Sequence, residues 1–128
     1  MTDRELMDAF ESCTLDPALF SHRQHVRVAW ICLSEAPLIE ALTRFVESLR
    51  RFATSVGSPG LYHETITFAF LFVIHERMQA RKAGTFEEFE TANPDLFRWK
   101  PSVLDRYYKA ETIGSDLARR TFVMPDAL

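Results

Sequence analysis

Ile66-Thr67-Phe68-Ala69-Phe70-Leu71-Phe72-Val73-Ile74 is the stretch on which the fold turns. A nine-residue apolar run can be a buried strand or part of a buried helix, and length and flanks decide between them. Here Leu61 and Tyr62 precede the run, and His75-Glu76-Arg77-Met78-Gln79-Ala80-Arg81-Lys82 continues it without a breaker until Gly84. The spacing predicts one helix over about 61–82. Because it is apolar on every side between Ile66 and Ile74, with Thr67 the one interruption, it must be covered on every side and is the central helix of a bundle.

The flanking sequence is helical too. Thr2 and Glu5 have capping-box spacing for a first helix over 3–12 that buries Leu6, Met7 and Phe10. Leu15–Phe20, with Asp16-Pro17, reads as a turn or short helix, and Ser21 with Gln24 opens a second long helix that stops before Pro37. In the third, Leu38, Leu42, Phe45, Leu49, Phe52 and Val56 form one stripe, with Glu40/Arg44 and Glu47/Arg51 as i,i+4 pairs outside and Gly57 at the end. Beyond the central helix, Thr85 with Glu88 caps a short helix ending at Asn93-Pro94. Another short helix begins near Pro101-Ser102, a last one covers 115–120, and 121–128 is an extended tail. With four glycines and no period-2 stretch, the chain reads as an all-α single-domain helical bundle over 1–128, with short C-terminal helices.

Composition narrows the function classes. The chain has 128 residues, 47% of them hydrophobic, enough for a core without staples. Fifteen Lys and Arg against 18 Asp and Glu give a net charge of -3, which argues against nucleic acid as partner. No run reaches the roughly 20 apolar residues of a membrane span, and the acidic, amphipathic start is unlike a signal peptide, so the expected location is the cytoplasm. Cys13 and Cys32 form no motif and read as reduced, structural thiols.

Chemistry concentrates at helix starts. His22 and His25 lie about 60° apart on the second helix, and His63 and Glu64 open the central one. If consecutive long helices alternate in direction, the second and fourth start at the same end, gathering all four residues there. A helix N-terminus favours neutral imidazole and ionised carboxylate, the states that ligate a divalent metal. Two or three histidines with a carboxylate suit zinc or iron, and the sequence does not choose between them. This predicts a metal-dependent enzyme acting on a small molecule: His22, His25 and His63 as ligands, Glu64 as catalytic base or fourth ligand, and Arg27, Trp30, Tyr62 and Tyr107 around the substrate, with Arg106 nearby. The same end, with Arg23 and Arg27, also suits a non-catalytic protein that binds an anion or docks a partner. His75, about 18 Å along the helix from His63, is outside that sphere and reads with Glu76 and Arg77 as a solvated or ion-paired helix end. The end helices either cover the bundle in cis or leave a face for a homo-oligomer.

Phe20-x-His22-x-x-His25-x-Arg27-x-Ala29-Trp30 and Tyr62-His63-Glu64-Thr65-Ile66-Thr67 resemble motifs of a family of short, uncharacterised bacterial all-α proteins. The likeness continues in Ile74-His75-Glu76-Arg77-Met78, in Lys100-Pro101-Ser102 and Arg106-Tyr107-Tyr108, and in Ala118–Phe122 and Pro125-Asp126. It implies that His22, His25, His63 and Glu64 occur together as a set, and brings no activity or cofactor with it.

Overall fold

A computed structural model describes residues 1–127. All regular structure among them is helical, as the spacing predicts, and no helix there is long and apolar enough to cross a membrane. The chain divides into two compact units, Met1–Tyr62 and a second beginning at His63.

The first unit holds α1 (Asp3–Glu11), α2 (His22–Glu35) and α3 (Leu38–Ser55), with 3-10 turns at Pro17–Leu19 and Pro59–Leu61. The Thr2/Glu5 capping box forms in both directions and α1 buries Leu6, Met7 and Phe10. At α2 the box is half made: the Ser21 hydroxyl accepts from the Gln24 amide at 3.4 Å, while Gln24 Oε1 is buried without a partner. Phe10, Phe20 and Phe52 meet with centroids 4.9–5.5 Å apart and knit α1, the first 3-10 turn and α3 together.

On α3 the buried line runs through Ala41, Phe45, Ser48 and Phe52, so the expected stripe is rotated and Leu42, Leu49 and Val56 sit on its flank. Instead of pairing with Glu40 on its own helix, Arg44 reaches Glu11 at 2.8 and 2.9 Å and Glu35 at 2.7 Å. Arg51 likewise turns to the Glu11 carbonyl at 3.2 Å rather than to Glu47. Cross-helix partners at a half-buried site outweigh an exposed i,i+4 pair worth a few tenths of a kcal/mol.

The second unit is built on α4 (Glu64–Ala80), followed by α5 (Phe86–Ala92), 3-10 turns at Pro94–Phe97 and Val103–Arg106, and the short helices α6 (Ala110–Ile113) and α7 (Asp116–Arg120). The apolar run buries Ala69, Phe70 and Leu71 in succession, 100° apart, and Val73 and Ile74 after them, while Phe68 and Phe72 on the remaining face are half-buried. α7 and the Val103–Arg106 turn pack on it, and Phe122 joins Phe68 and Phe72 in a three-ring cluster. Helix α4 starts three residues later than expected because Pro59–Leu61 forms a 3-10 turn and His63 takes the N-cap position, with φ -130° and ψ 112°. The helix expected near Pro101 is only a 3-10 turn, and α6 has too few residues to leave a periodic signal.

The extended tail is seen over 121–127, Leu128 lying outside the described residues. Thr65, fully buried, holds it: its hydroxyl donates to the Thr121 carbonyl at 2.7 Å and accepts from the Val123 amide at 3.1 Å. The Tyr108 hydroxyl donates to the Val123 carbonyl at 2.8 Å. Asp126 accepts from the Lys109 amide and the Thr112 hydroxyl, which together keep its carboxyl below the usual carboxylate range. In turn the Tyr107 carbonyl accepts from the amides of Asp126 and Ala127. These bonds make the tail a fixed wall of the second unit.

Candidate functional site

Two of the three expected histidines, His63 and His25, have identifiable local settings. As N-cap of α4, His63 accepts through Nδ1 from the Ile66 amide at 3.1 Å and donates through Nε2 to the Ile113 carbonyl at 2.8 Å. The second bond requires a proton on Nε2 and the first a lone pair on Nδ1, so the ring is the neutral Nε2–H tautomer with both nitrogens committed. Burial lowers its pKa against the opposing pull of the Ile113 carbonyl, and the charge of Arg119 lowers it further. A metal bound here would have to displace one of the two bonds.

His25 lies face to face with Phe20, ring centroids 3.9 Å apart. Burial first, and the nearby charge of His22 second, push its pKa down to about 4, so it is neutral at pH 7. His22 is the first residue of α2 and half-buried. His22 and His25 belong to the first unit, His63 and Glu64 to the second. Within each unit, no three described His, Cys, Asp or Glu side chains form a group that could hold a metal ion.

The expected ligand-contacting residues separate in the same way. Arg27 is engaged: Nε and Nη2 both donate to Asp3 Oδ1, at 3.0 and 2.8 Å, and Nη2 also donates to the Met1 carbonyl at 2.9 Å. Its guanidinium ties α2 to the start of α1, which is a structural use of the charge expected to meet an anion. Tyr62 lies under the Arg50 guanidinium, 4.9 Å from the ring centroid. Trp30 is half-buried on α2, and Glu64 is the first residue of α4, in the turn that carries the positive end of the helix dipole.

Tyr107 stands elsewhere, on the wall of a half-open cleft of about 150 Å³ formed wholly within the second unit. One wall is the α4 stripe Ala69, Phe72, Val73 and Glu76, whose i, i+3, i+4, i+7 spacing puts four side chains on one helical face. Leu104, Tyr107 and Tyr108 form the second wall, and Phe122 and Pro125 of the tail form the third. The lining is apolar and aromatic except for Glu76 and the tyrosine hydroxyls, and the Tyr108 hydroxyl is already spent on Val123.

Beside the cleft, Arg77 makes a two-pronged pair with Asp95, Nη1 to Oδ1 at 3.0 Å and Nη2 to Oδ2 at 2.8 Å, and Nη1 also donates to Asn93 Oδ1 at 3.0 Å. Arg77 holds the Asp95 carboxyl below its usual range. Arg106 adds a longer bond of 3.3 Å to the same carboxylate. The reading of Arg77 as ion-paired therefore holds, whereas Glu76, grouped with it in the sequence, lines the cleft. Phe72, Glu76, Leu104, Phe122 and Pro125 are lining residues that sequence reasoning missed. The 69/72/73/76 stripe was the available signal, hidden because α4 is apolar on its other faces as well.

Comparison of the chain with protein-family models, with curated proteins and with solved structures gives no match.

Proposed function

We propose that this protein binds a small organic molecule in the cleft between α4, the Leu104–Tyr108 segment and the tail. The observation that carries the reading is the cleft itself: a cavity of about 150 Å³ with mainly apolar walls and few polar groups, the general build of a small-ligand site. The size is that of apolar cavities which accommodate benzene. Its third wall is fastened by the Thr65, Tyr108 and Asp126 bonds, which supports a preformed site over one assembled by the ligand. Of the residues expected around a substrate, Tyr107 is the one this reading keeps. The committed nitrogens of His63 and the Asp3-bound guanidinium of Arg27 weigh against the metal and anion readings of the helix starts.

Cys13 and Cys32 are both free thiols, and burial pushes Cys32 up to about 12, an inert buried thiol. With the acidic net charge, this supports placement in the cytosol.

Titration of the ¹⁵N-labelled protein with benzyl alcohol tests the binding reading. Amide shifts confined to 69–76, 104–108 and 122–126, and abolished by filling the cleft with Ala69→Leu, are the expected result. Shifts scattered elsewhere, or none at millimolar probe, would overturn it.

A further inference from the structure

The cleft carries one charged side chain, Glu76, and aromatic rings on each of its walls: Phe72, Tyr107 and Phe122 among them. Phe72 and Glu76 are one turn apart on the same face of α4. The rings of Phe72 and Phe122 stand at 79° with centroids 5.9 Å apart, so two aromatic walls meet nearly at a right angle.

We infer that the ligand is a compact organic cation: an ammonium group on an apolar body about the size of a benzene ring, its charge beside Glu76 and its body among Phe72, Leu104, Phe122 and Pro125. The inference rests on the cleft being the binding site. Aromatic faces carry the negative part of a ring quadrupole and attract cations, most strongly where water is excluded. A carboxylate among the lining residues adds direct attraction for the same charge and repels anions. The neighbouring guanidiniums are hydrogen-bonded away from Glu76, Arg77 to Asp95 and Asn93 and Arg106 to the same Asp95. Glu76 is thus the one formal charge the lining presents to a ligand. A purely apolar guest would fill the same space without using it.

The experiment compares three probes of one shape on the full chain: benzylamine, protonated at pH 7, neutral benzyl alcohol and anionic benzoate, each followed by amide shifts in ¹⁵N spectra. Benzylamine is expected to bind about tenfold tighter than benzyl alcohol, with benzoate weakest. In Glu76→Gln, an exposed position where folding is preserved and checked by the same spectra, the advantage should shrink to about twofold or less. Glu87→Gln on α5, which removes equal charge away from the cleft, should leave the preference intact. Equal binding of benzylamine and benzyl alcohol overturns the cation assignment while leaving the cleft as a binding site. A preference for benzylamine that survives Glu76→Gln also overturns it. If no probe shifts the cleft amides, the cleft reading fails along with the inference.

Discussion

Nε2 of His63 donates to the carbonyl oxygen of Ile113 across 2.8 Å, joining the start of α4 to the end of α6, fifty residues later in the chain. Since Nδ1 of the same ring caps α4, one imidazole satisfies a helix amide that lacks an intrahelical acceptor and a carbonyl at the end of a four-residue helix. His63→Ala is therefore expected to destabilise the protein by about 2–4 kcal/mol, combining a lost cap with an unmet carbonyl. His63→Asn should recover about 1 kcal/mol of that, because Asn caps well but is too short for Ile113. Urea unfolding of the three proteins gives the comparison, and equal midpoints would show that neither bond matters. Elemental analysis of the same samples should find no metal that depends on His63; a divalent ion present in the wild type and lost in His63→Asn would make the ring a ligand.

Acid should weaken the fold through the histidines before the carboxylates titrate. His25 has a folded pKa of about 4 against an ordinary value of 6.5, so the unfolded chain takes up its proton first. The stability from keeping this ring neutral is fully present above pH 6.5 and is lost as pH falls towards 4, by on the order of 2–3 kcal/mol. His63, lowered in the same direction, adds to the loss over the same side of neutrality. His25→Phe keeps a ring against Phe20 and removes the proton site, so its stability should fall less between pH 6.5 and 4. A pH profile parallel to wild type would show that His25 is not held neutral.

The Arg77–Asp95 pair offers a contrast between a built and a loose ion pair on one carboxylate. Arg77 is 25% exposed, Asp95 21%, and the two meet through a pair of bonds, whereas Arg106 is 66% exposed and 3.3 Å away. Arg77→Met should cost about 2–3 kcal/mol, since it takes the two-pronged partner from a partly buried carboxylate, leaving it only the longer Arg106 bond, and leaves the Asn93 side-chain oxygen without that donor. Arg106→Ala should cost about 0.5 kcal/mol or less. Thermal or urea unfolding would refute the assignment if the order were reversed.

How far the sequence could be read follows from how local each signal is. Capping at Thr2, Ser21 and Thr85 was legible because the pairs lie three residues apart, and each cap is present. The burial of most of the α4 run was legible for a similar reason: a helix without a polar face needs cover whatever its neighbours are, and only Ile66, Phe68 and Phe72 in the run are left half-buried. What the sequence did not disclose were partners distant along the chain. Arg44 looked like the partner of Glu40, and only the packing of α1 and α2 against α3 brings Glu11 and Glu35 within its reach. His63 and Arg27 looked like free chemical groups because their partners, Ile113 and Asp3, are 50 and 24 residues away. The cleft was hidden twice over, by the uniform apolarity of α4 and by a tail whose course is set by a threonine 56 residues before it.

Two threonines in the apolar helix predict different outcomes for the same substitution. The Thr67 hydroxyl donates to the His63 carbonyl, which already accepts the Thr67 amide, so Thr67→Val leaves no group unmet and should change stability by less than about 0.5 kcal/mol. The Thr65 hydroxyl is both donor to Thr121 and acceptor from Val123, and its side chain is fully buried. Thr65→Val, equal in shape, removes both bonds and should cost about 1–3 kcal/mol. The effect reaches the cleft through the chain itself, because Phe122 lies between the two tail residues that Thr65 holds and Pro125 follows them. Amides of 121–127 should exchange faster in Thr65→Val, and benzyl alcohol should bind more weakly because the third wall is no longer preformed. If Thr65→Val lost stability yet bound the probe as tightly as wild type, the tail would not be a wall of the site.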